Sequence, residues 1–515
     1  MTFQAQVEPR LLANPRVHLF AAAPILGSPT TPLSPLSVCV DPTSGGDPGV
    51  SWAALERQTL RPAEALEAGV GDALEVDGPE WLVLLRAGDH PHPRALERLA
   101  QAAVLASDAD VITCDQDRLE RGRRVDPTLR PGPSPDRWLA LADAGSLVAV
   151  RRAAARALLD SLDARTGARE ELALRLAGRD GARHAHVPLV LAHVHDAAPK
   201  LDSAVRDRAA RSVLAAWDPA ARVERTSSGA RRIRRPVAGE PSVDVIVLFK
   251  DRPELLERCA GSVLSLTAWE RLTLHLVDNG STDASVPELL GRLRRDPRVS
   301  VHRDPRPFNF AALTNSAATR GGGELVAFLN NDTEVTDPDW LSVLIEEARR
   351  PQVGAVAPLL LYPDGRVQHA GAAIGLHGYA GHPFAGLSPD AATPFGSATD
   401  APRNWLAVTA ACLVVERSKL EAVGGFDERF VVAGNDVDLG LRLTARGWRS
   451  QCVPYTSLVH DESRSRAGHI DAGDLERSEL SYGAFRTVGD PFYHPALTLT
   501  RTDCSLRRGG EAPVP

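Results

Sequence analysis

The side chains best placed to do chemistry stand where apolar runs end. An apolar stretch, Val243 to Phe249, is followed by Leu274-His-Leu-Val-Asp-Asn-Gly-Ser-Thr-Asp283 and then by Leu325-Val-Ala-Phe-Leu-Asn-Asn-Asp332. In the last two, a run of buried-strand type closes on carboxylates and amides. A strand that is apolar along its length is buried on both faces, so the polar cluster at its C-terminal end lies where a doubly wound sheet opens a crevice for a ligand. Two such ends predict one site. Carboxylates there can hold a hard cation or accept from the N–H and O–H groups of a ligand. Further along, Asn435-Asp-Val-Asp438 stands just ahead of Leu439, Leu441 and Leu443, and His460 follows Val453-Pro-Tyr-Thr-Ser-Leu-Val459.

The elements that must position these groups alternate from residue 243 onward. Strands at Val243–Phe249, Leu272–Asp278, Val299–His302 and Leu325–Asn330 are interleaved with helices opening at Pro253 and running around Pro287–Arg295 and Ala311–Arg320. Asp337-Pro-Asp-Trp340 predicts a further helix to about Arg350, with a capping residue and proline at the first helical position. The expected fold class is α/β with a mainly parallel sheet flanked by helices. Asp202–Trp217 reads as one amphipathic helix, and Arg225–Pro241, rich in Arg, Ser, Gly and Pro, marks a domain boundary. Its run Arg231-Arg-Ile-Arg-Arg235 is a solvated linker or a contact for phospholipid or a phosphorylated carrier.

Upstream of the boundary the chain repeats itself. Glu171-Leu-Ala-Leu-Arg-Leu176, Val187-Pro188 and His195-Asp196 echo Asp438-Leu-Gly-Leu-Arg-Leu443, Val453-Pro454 and His460-Asp461. Trp81–Asp89 resembles Leu325–Asp332, and Asp110–Thr113 resembles Gly354–Ala357, in the same order. A diverged duplication is expected. The expected layout is a diverged domain over 1–200, a helix and linker over 201–241, the site-bearing domain over 242–490 and a tail over 491–515. The Gly/Pro/Ser-rich stretch 22–50 is expected to be loop or poorly ordered.

Composition narrows the function. The 515 residues, 43% hydrophobic and 24% charged, are ordinary for a globular chain of two to four domains. A formal net charge of -7 excludes nucleic acid as the main partner. Six cysteines are scattered singly, without CxxC or metal spacing, which fits a reducing compartment. No signal pattern opens the chain and no stretch approaches eighteen apolar residues, so a soluble, cytoplasmic protein is expected, with peripheral contact at the inner face of the membrane as the option left by the arginine run.

Taken in order, Val277-Asp-Asn-Gly-Ser-Thr-Asp283, Asn330-Asn-Asp332, Gly424-Gly-Phe-Asp-Glu428, Asn435-Asp-Val-Asp-Leu439 and His460 resemble the signature of family 2 glycosyltransferases, which have the GT-A fold. Pro307-Phe-Asn-Phe310, Tyr362-Pro-Asp-Gly365, Gln368-His-Ala-Gly371 and Thr409-Ala-Ala-Cys412 resemble the bacterial branch that builds cell-surface polysaccharides. The resemblance covers about residues 242 to 465 and implies an inverting, metal-dependent transferase. Its donor would be a nucleotide-diphosphate sugar, its acceptor a glycan or lipid-linked hydroxyl, and its cofactor a divalent cation, Mn2+ or Mg2+.

The resemblance assigns roles residue by residue. Asp332, with Asn330 and Asn331 beside it, would hold the cation that bridges the diphosphate, and His460 would be a further ligand; the other readings are a turn aspartate and a structural histidine. Asp278, Asn279 and Asp251 would face the nucleotide, against an Asx turn at Asp278 and a helix cap at Asp251. Asp436 would be the base that deprotonates the acceptor, with Asp438 the alternate and helix capping the competing use. Asn435 stands where the family has the first acid of this pair. Asp427, Glu428 and Asp438 would shape the acceptor pocket, and Trp405 is either a sugar-stacking surface or core. In the upstream copy Arg169-Glu-Glu171 replaces the base-bearing segment and nothing matches Asp-Asn-Gly-Ser, although Asp89, Asp115 and Asp117 remain, so that copy is expected to be inactive. A nucleotidyltransferase would need a glycine-rich loop where Lys250-Asp-Arg-Pro-Glu254 stands. The remaining alternative is a carbohydrate-binding or scaffolding pseudoenzyme.

Overall fold

The computed structural model describes residues 33–162, 167–195, 202–226, 229–462 and 471–508, so residues 22–32 of the opening stretch lie outside the described residues. The rest of that stretch is not loop. Leu36–Asp41 forms β1, buried throughout, and a helix spans Pro48–Leu55 behind an Asp47 cap. β1 is joined by β2 (Glu64–Glu67), β3 (Trp81–Arg86), β4 (His90–Pro91), β5 (Val111–Glu120), β6 (Arg123–Thr128), β7 (Leu147–Arg151) and β8 (His184–His195) in a sheet of order β2-β1-β3-β7-β5-β8-β4, with β6 on β5. A hairpin, β9 (Arg222–Arg225) and β10 (Arg231–Arg234), follows.

The second sheet contains β11 (Val243–Phe249), β12 (Leu272–Asp278), β13 (Val299–Arg303), β14 (Leu325–Asn330), β15 (Thr333–Val335), β16 (Val353–Leu361), β17 (Val367–His369), β20 (Arg403–Trp405), β21 (Cys412–Glu416) and β22 (Arg449–His460); β18 (Ala373–Ile374) and β19 (Ala380–Gly381) form a separate hairpin. The order is β13-β12-β11-β14-β21-β16-β22-β15, with β17 on β16 and β20 on β22. β12, β13 and β14 run parallel to β11, β16 runs parallel to β22, and β21 is antiparallel to both of its neighbours. The helices Pro253–Leu266, Val286–Leu293 and Phe310–Ala318 cover it where alternation placed them. The next helix begins at Trp340 with Asp339 as its N-cap; Asp337 closes the turn ahead of it, accepting from the Asp339 N–H and the Thr456 hydroxyl.

The two sheets share one path. Reading β1, β2, β3, β7, β5, β8 and β4 onto β11, β12, β14, β21, β16, β22 and β15 reproduces every neighbour and every sense: parallel at β1·β2, β1·β3 and β5·β8, antiparallel at β3·β7, β5·β7 and β4·β8. β13 and β20 have no counterpart among the described residues. The ladders also shift one correspondence. His90, which follows Asp89, pairs with His193, as Thr333, which follows Asp332, pairs with His460. His193 therefore matches His460, two residues away from the match read in sequence.

The two halves are locked together by charge. Asp136, 4% exposed, accepts from Arg350 at 2.6 Å, Arg449 at 2.9 Å and Arg235 at 3.5 Å, so one carboxylate of the first half holds three guanidinium groups, two of them from the second. This changes three sequence expectations. Helix Ser203–Trp217 and the β9–β10 hairpin pack into the first core through Ala209, Val213, Leu214 and Ile233, so they are part of that domain. The arginine run is not a free linker but is tied into ion pairs: Arg231 pairs with Asp207, Arg234, its side chain 39% exposed, with Glu346, and Arg235 with Asp218 and Glu347. Residues 491–508 are no tail, since Tyr493, Leu497 and Cys504 lie in the second core and His494 Nε2 meets Asp115 of the first half at 2.8 Å. All six cysteines are buried free thiols. No helix among the described residues is long and apolar enough to cross a membrane.

Candidate active site

A cleft of about 540 Å3 opens at the C-terminal ends of the second sheet. It is lined on one side by Asn330, Gln368 and His460, and on another by Val432 to Val437, including Asp436. Strand alternation and the burial of β14 on both faces bring Asn330 to this end of the sheet, and the short turn after it carries Asn331 and Asp332. β15 then pairs with the end of β22, which sets Thr333 opposite His460 and Asp332 beside the imidazole.

Asp332 and His460, both 3% exposed, approach to 3.2 Å between Oδ1 and Nε2, and the Asn330 amide lies 3.5 Å from the same nitrogen. Gln368 decides what that nitrogen presents. Its Nε2–H donates to Glu462 at 2.9 Å, which turns its Oε1 toward His460 Nδ1 at 3.2 Å. An amide oxygen only accepts, so Nδ1 is the ring nitrogen that donates to Gln368, and Nε2 is the one turned to Asp332. A carboxylate oxygen and a ring nitrogen at this distance are bridged either by a proton on Nε2 or by a cation. Ligand bonds of about 2.1 Å at right angles place neighbouring donors about 3 Å apart, so the pair fits a small divalent ion completed by phosphate oxygens and water. No group of three or more His, Cys, Asp or Glu among the described residues is arranged to hold a metal by protein ligands alone. Next to His460, His369 is fully buried against His382 (Nδ1···Nδ1 2.9 Å), and burial holds its pKa well below the ordinary histidine value, so it stays neutral.

Asp436 is the second residue of helix Asn435–Ala445 and is partly exposed to the cleft. Its Oδ2 accepts from the Ala410 N–H at 3.3 Å and its Oδ1 from the Val437 N–H at 2.9 Å. The segment before it is held by Asp474, fully buried, which accepts from the N–H groups of Val431, Val432 and Ala433 at 2.7 to 3.0 Å. Gly434 enters the helix at φ 81°, and a Cβ there would stand 2.8 Å from the Ser478 hydroxyl. Helix Ala472–Tyr482 closes that wall, with burial pushing the Tyr482 hydroxyl up to about 12.

Other expected site residues go elsewhere. Asp438 is 1% exposed and bound to Arg442 at 2.7 Å, whose guanidinium also donates to the carbonyls of Val423 and Gly425. It braces the Gly424-Gly425 turn instead of shaping the acceptor pocket or serving as an alternate base. Asp427 is occupied by Arg429, and Glu428 by the Asn315 amide; neither lines the cleft. Trp405 is fully buried in the core, under Gly371 (φ 122°), where a Cβ would fall 2.0 Å from the indole nitrogen, so it is no stacking surface.

At the ends of β11 and β12, Asp278 accepts from the Ser281 N–H, three residues on, at 2.7 Å while its other oxygen meets Arg303 at 3.1 Å. Asn279 donates to the carbonyls of Asp304 and Arg306. Asp251 (φ 53°) does not cap the following helix, whose N-cap is Arg252. Its Oδ1 instead accepts from Thr282 and Asp283, bonds that lower its pKa. Gln368 was visible in sequence only as part of a motif without a role, and Asp474 gave no sequence signal.

The equivalent place in the first half is filled by its own ion pairs. Arg86 stands at the end of β3, as Asn330 does at the end of β14, and binds the fully buried Asp89 at 2.7 Å. Arg169, 2% exposed, is the second residue of helix Ala168–Ala177 after Gly167, the position of Asp436 after Gly434, and is paired with Glu170. Glu171–Arg175 repeats the brace Asp438–Arg442.

The family model for glycosyl transferase family 2 matches residues 244–383. The chain is 41% identical over 451 residues to O-antigen biosynthesis protein RfbC of Myxococcus xanthus, covering 84% of this chain and 35% of that protein. It is 42% identical over 280 residues to uncharacterized protein y4gI of Sinorhizobium fredii, covering 53% and 31%. It thus spans about a third of the length of these two relatives. N-acetylglucosaminyl-diphospho-decaprenol L-rhamnosyltransferase of Mycobacterium tuberculosis is 32% identical over 258 residues, 44% of this chain and 80% of that protein. Among solved structures, mannosyltransferase PcManGT from Pyrobaculum calidifontis in complex with GDP-Man and Mn2+ aligns over 48% of this chain and 61% of that one, at 19% identity and a TM-score of 0.33. With the matched segment running through β11, β12 and β14 and a relative covered over four-fifths of its length, the chain belongs to glycosyltransferase family 2.

Proposed function

We propose that this chain transfers a sugar from a nucleoside-diphosphate donor to a hydroxyl of a glycan or lipid-linked acceptor in cell-surface polysaccharide synthesis, with inversion at the anomeric carbon. The observation that carries the reading is the single cleft into which both the Asn330–His460 end and Asp436 open. Asp436 accepts the acceptor's proton as its oxygen attacks the anomeric carbon; the bond to the diphosphate breaks with its electron pair leaving on the phosphate oxygen, on the opposite face. A divalent cation held by Asp332 and His460 would neutralise charge on that leaving diphosphate. Gln368 keeps His460 Nε2 turned toward it, and Asp278, Asn279 and Asp251 brace the turns at the end of the sheet where the nucleotide would lie. The name of the M. tuberculosis relative supports a diphospho-lipid-linked sugar as acceptor class.

For the first half we propose a diverged, inactive copy. The shared strand path supports this, as do Arg86 and Arg169 at the positions of Asn330 and Asp436.

The test measures transfer, donor hydrolysis and nucleoside-diphosphate binding with Mn2+. Asp436→Asn is expected to slow transfer by about 10²-fold or more while binding stays near wild type. Asp332→Asn is expected to remove metal-dependent binding, which should saturate at one nucleoside diphosphate per chain in the wild type. Two sites per chain would refute the inactive copy, and retained configuration in the first-formed product, read by NMR, would refute the single displacement. A wild type that binds donor but neither transfers nor hydrolyses it would favour the pseudoenzyme.

A further inference from the structure

One wall of the cleft takes part in none of this chemistry. β18 and β19 are joined by Gly375–Tyr379, in which Gly375 (φ 97°), His377 (φ 57°) and Gly378 (φ 86°) are all left-handed. A non-glycine residue at such φ costs about 1 kcal/mol or more and persists only where its surroundings impose it. Here the His377 N–H donates to the Leu499 carbonyl at 2.8 Å and the Gly375 N–H to the Tyr379 carbonyl at 2.7 Å. The turn delivers Tyr379 to the cleft, 37% exposed, among the few large hydrophobic side chains left in solvent. Its ring is backed by the Arg486 guanidinium, 5.5 Å from the centroid. Arg486 is itself fixed, donating to the Gly378 carbonyl at 2.9 Å and pairing with Glu479. A cation on one face of a tyrosine restrains the ring and leaves its other face for a ligand. Asp436 lines the same cleft.

We propose that Tyr379 is the stacking platform for the pyranose ring of the acceptor, with Arg486 as the positioning residue that sets its plane. This rests on the glycosyltransferase reading and names the subsite that accepts the sugar. A pyranose presents a face of C–H groups and an edge of hydroxyls, which an aromatic ring flanked by the polar groups of His377 and His382 matches.

The full chain, with UDP, GDP or dTDP and Mn2+, is titrated with the methyl glycosides of glucose, galactose, mannose, rhamnose and N-acetylglucosamine, followed by saturation-transfer NMR. At least one glycoside should bind the wild type. Tyr379→Ala should weaken that glycoside about tenfold, Tyr379→Phe should stay within about twofold, and nucleoside-diphosphate affinity should be unchanged in both. The same glycoside affinity in Tyr379→Ala, or no glycoside bound by the wild type, overturns the proposal. Absence of nucleoside-diphosphate binding in the wild type instead overturns the glycosyltransferase reading, whatever the glycosides do.

Discussion

Replacing Asp136 by alanine tests whether the two halves of this chain are one folding unit. Its carboxylate is buried and faces Arg235, Arg350 and Arg449, whose side chains are 10 to 13% exposed. Burial alone would favour the protonated acid, but the three guanidinium groups hold the carboxyl below the usual range. Removing one partner of a fully buried pair costs about 3 to 5 kcal/mol because the remaining charge is stranded. Here each arginine keeps another anion: Asp180 for Arg350 and Arg449, Glu347 for Arg350 and Arg235, and Asp218 for Arg235. The loss should therefore fall near the lower bound, about 3 kcal/mol, and Asp136→Asn, which keeps an acceptor oxygen, should cost less. Calorimetry of the full chain should show one transition in the wild type and, in Asp136→Ala, a lower midpoint that separates into two as the halves uncouple. A double-mutant cycle with Arg449→Ala should return a coupling above about 1 kcal/mol. An unchanged midpoint with no coupling would mean that the other contacts between the halves, such as His494 with Asp115 and Arg350 with Asp180, hold them together without this anion.

The remaining predictions concern the site and one buried acid. Gln368→Leu should weaken Mn2+ binding to the full chain by about 10- to 100-fold, because His460 loses the acceptor that fixes its tautomer, while the fold is kept; equal Mn2+ affinity by calorimetry would show that the tautomer is set elsewhere. Asp490, fully buried by its packing and accepting from Ile374 and Phe492, has its pKa pushed up to about 7 by burial. A raised acid contributes stability that is fully present below its unfolded pKa and is lost as pH rises through the folded one, here on the order of 4 kcal/mol between about pH 4 and pH 7. Asp490→Asn, a mimic of the protonated acid, should flatten that slope in urea titrations; an unaltered slope would assign the pH dependence to other groups.

The sequence by itself determined the alternation of strands and helices from residue 243, and with it the sheet edge where Asp278, Asn330 and Asp332 had to emerge, because apolar period and strand-end chemistry are local properties. It also carried the order of motifs that marks the family. It could not tell Asp436 from Asp438, since both stand in the first turn of the same helix; only the fold showed that one opens to the cleft and the other is consumed by Arg442. Nor could it tell a stacking tryptophan from a core one, because burial of Trp405 is imposed by Gly371 and the second core. The strand order was equally out of reach: β21 enters between β14 and β16, antiparallel, through contacts far apart in the chain. Gln368 lies 92 residues from the histidine it orients, and Asp474 lies 43 residues from the farthest of the backbone groups it holds. Such pairings depend on which surfaces meet after folding, and a one-dimensional pattern of hydrophobic and polar residues does not encode that directly. Local pattern fixed what each segment is, and tertiary packing decided which of its polar groups are left for chemistry.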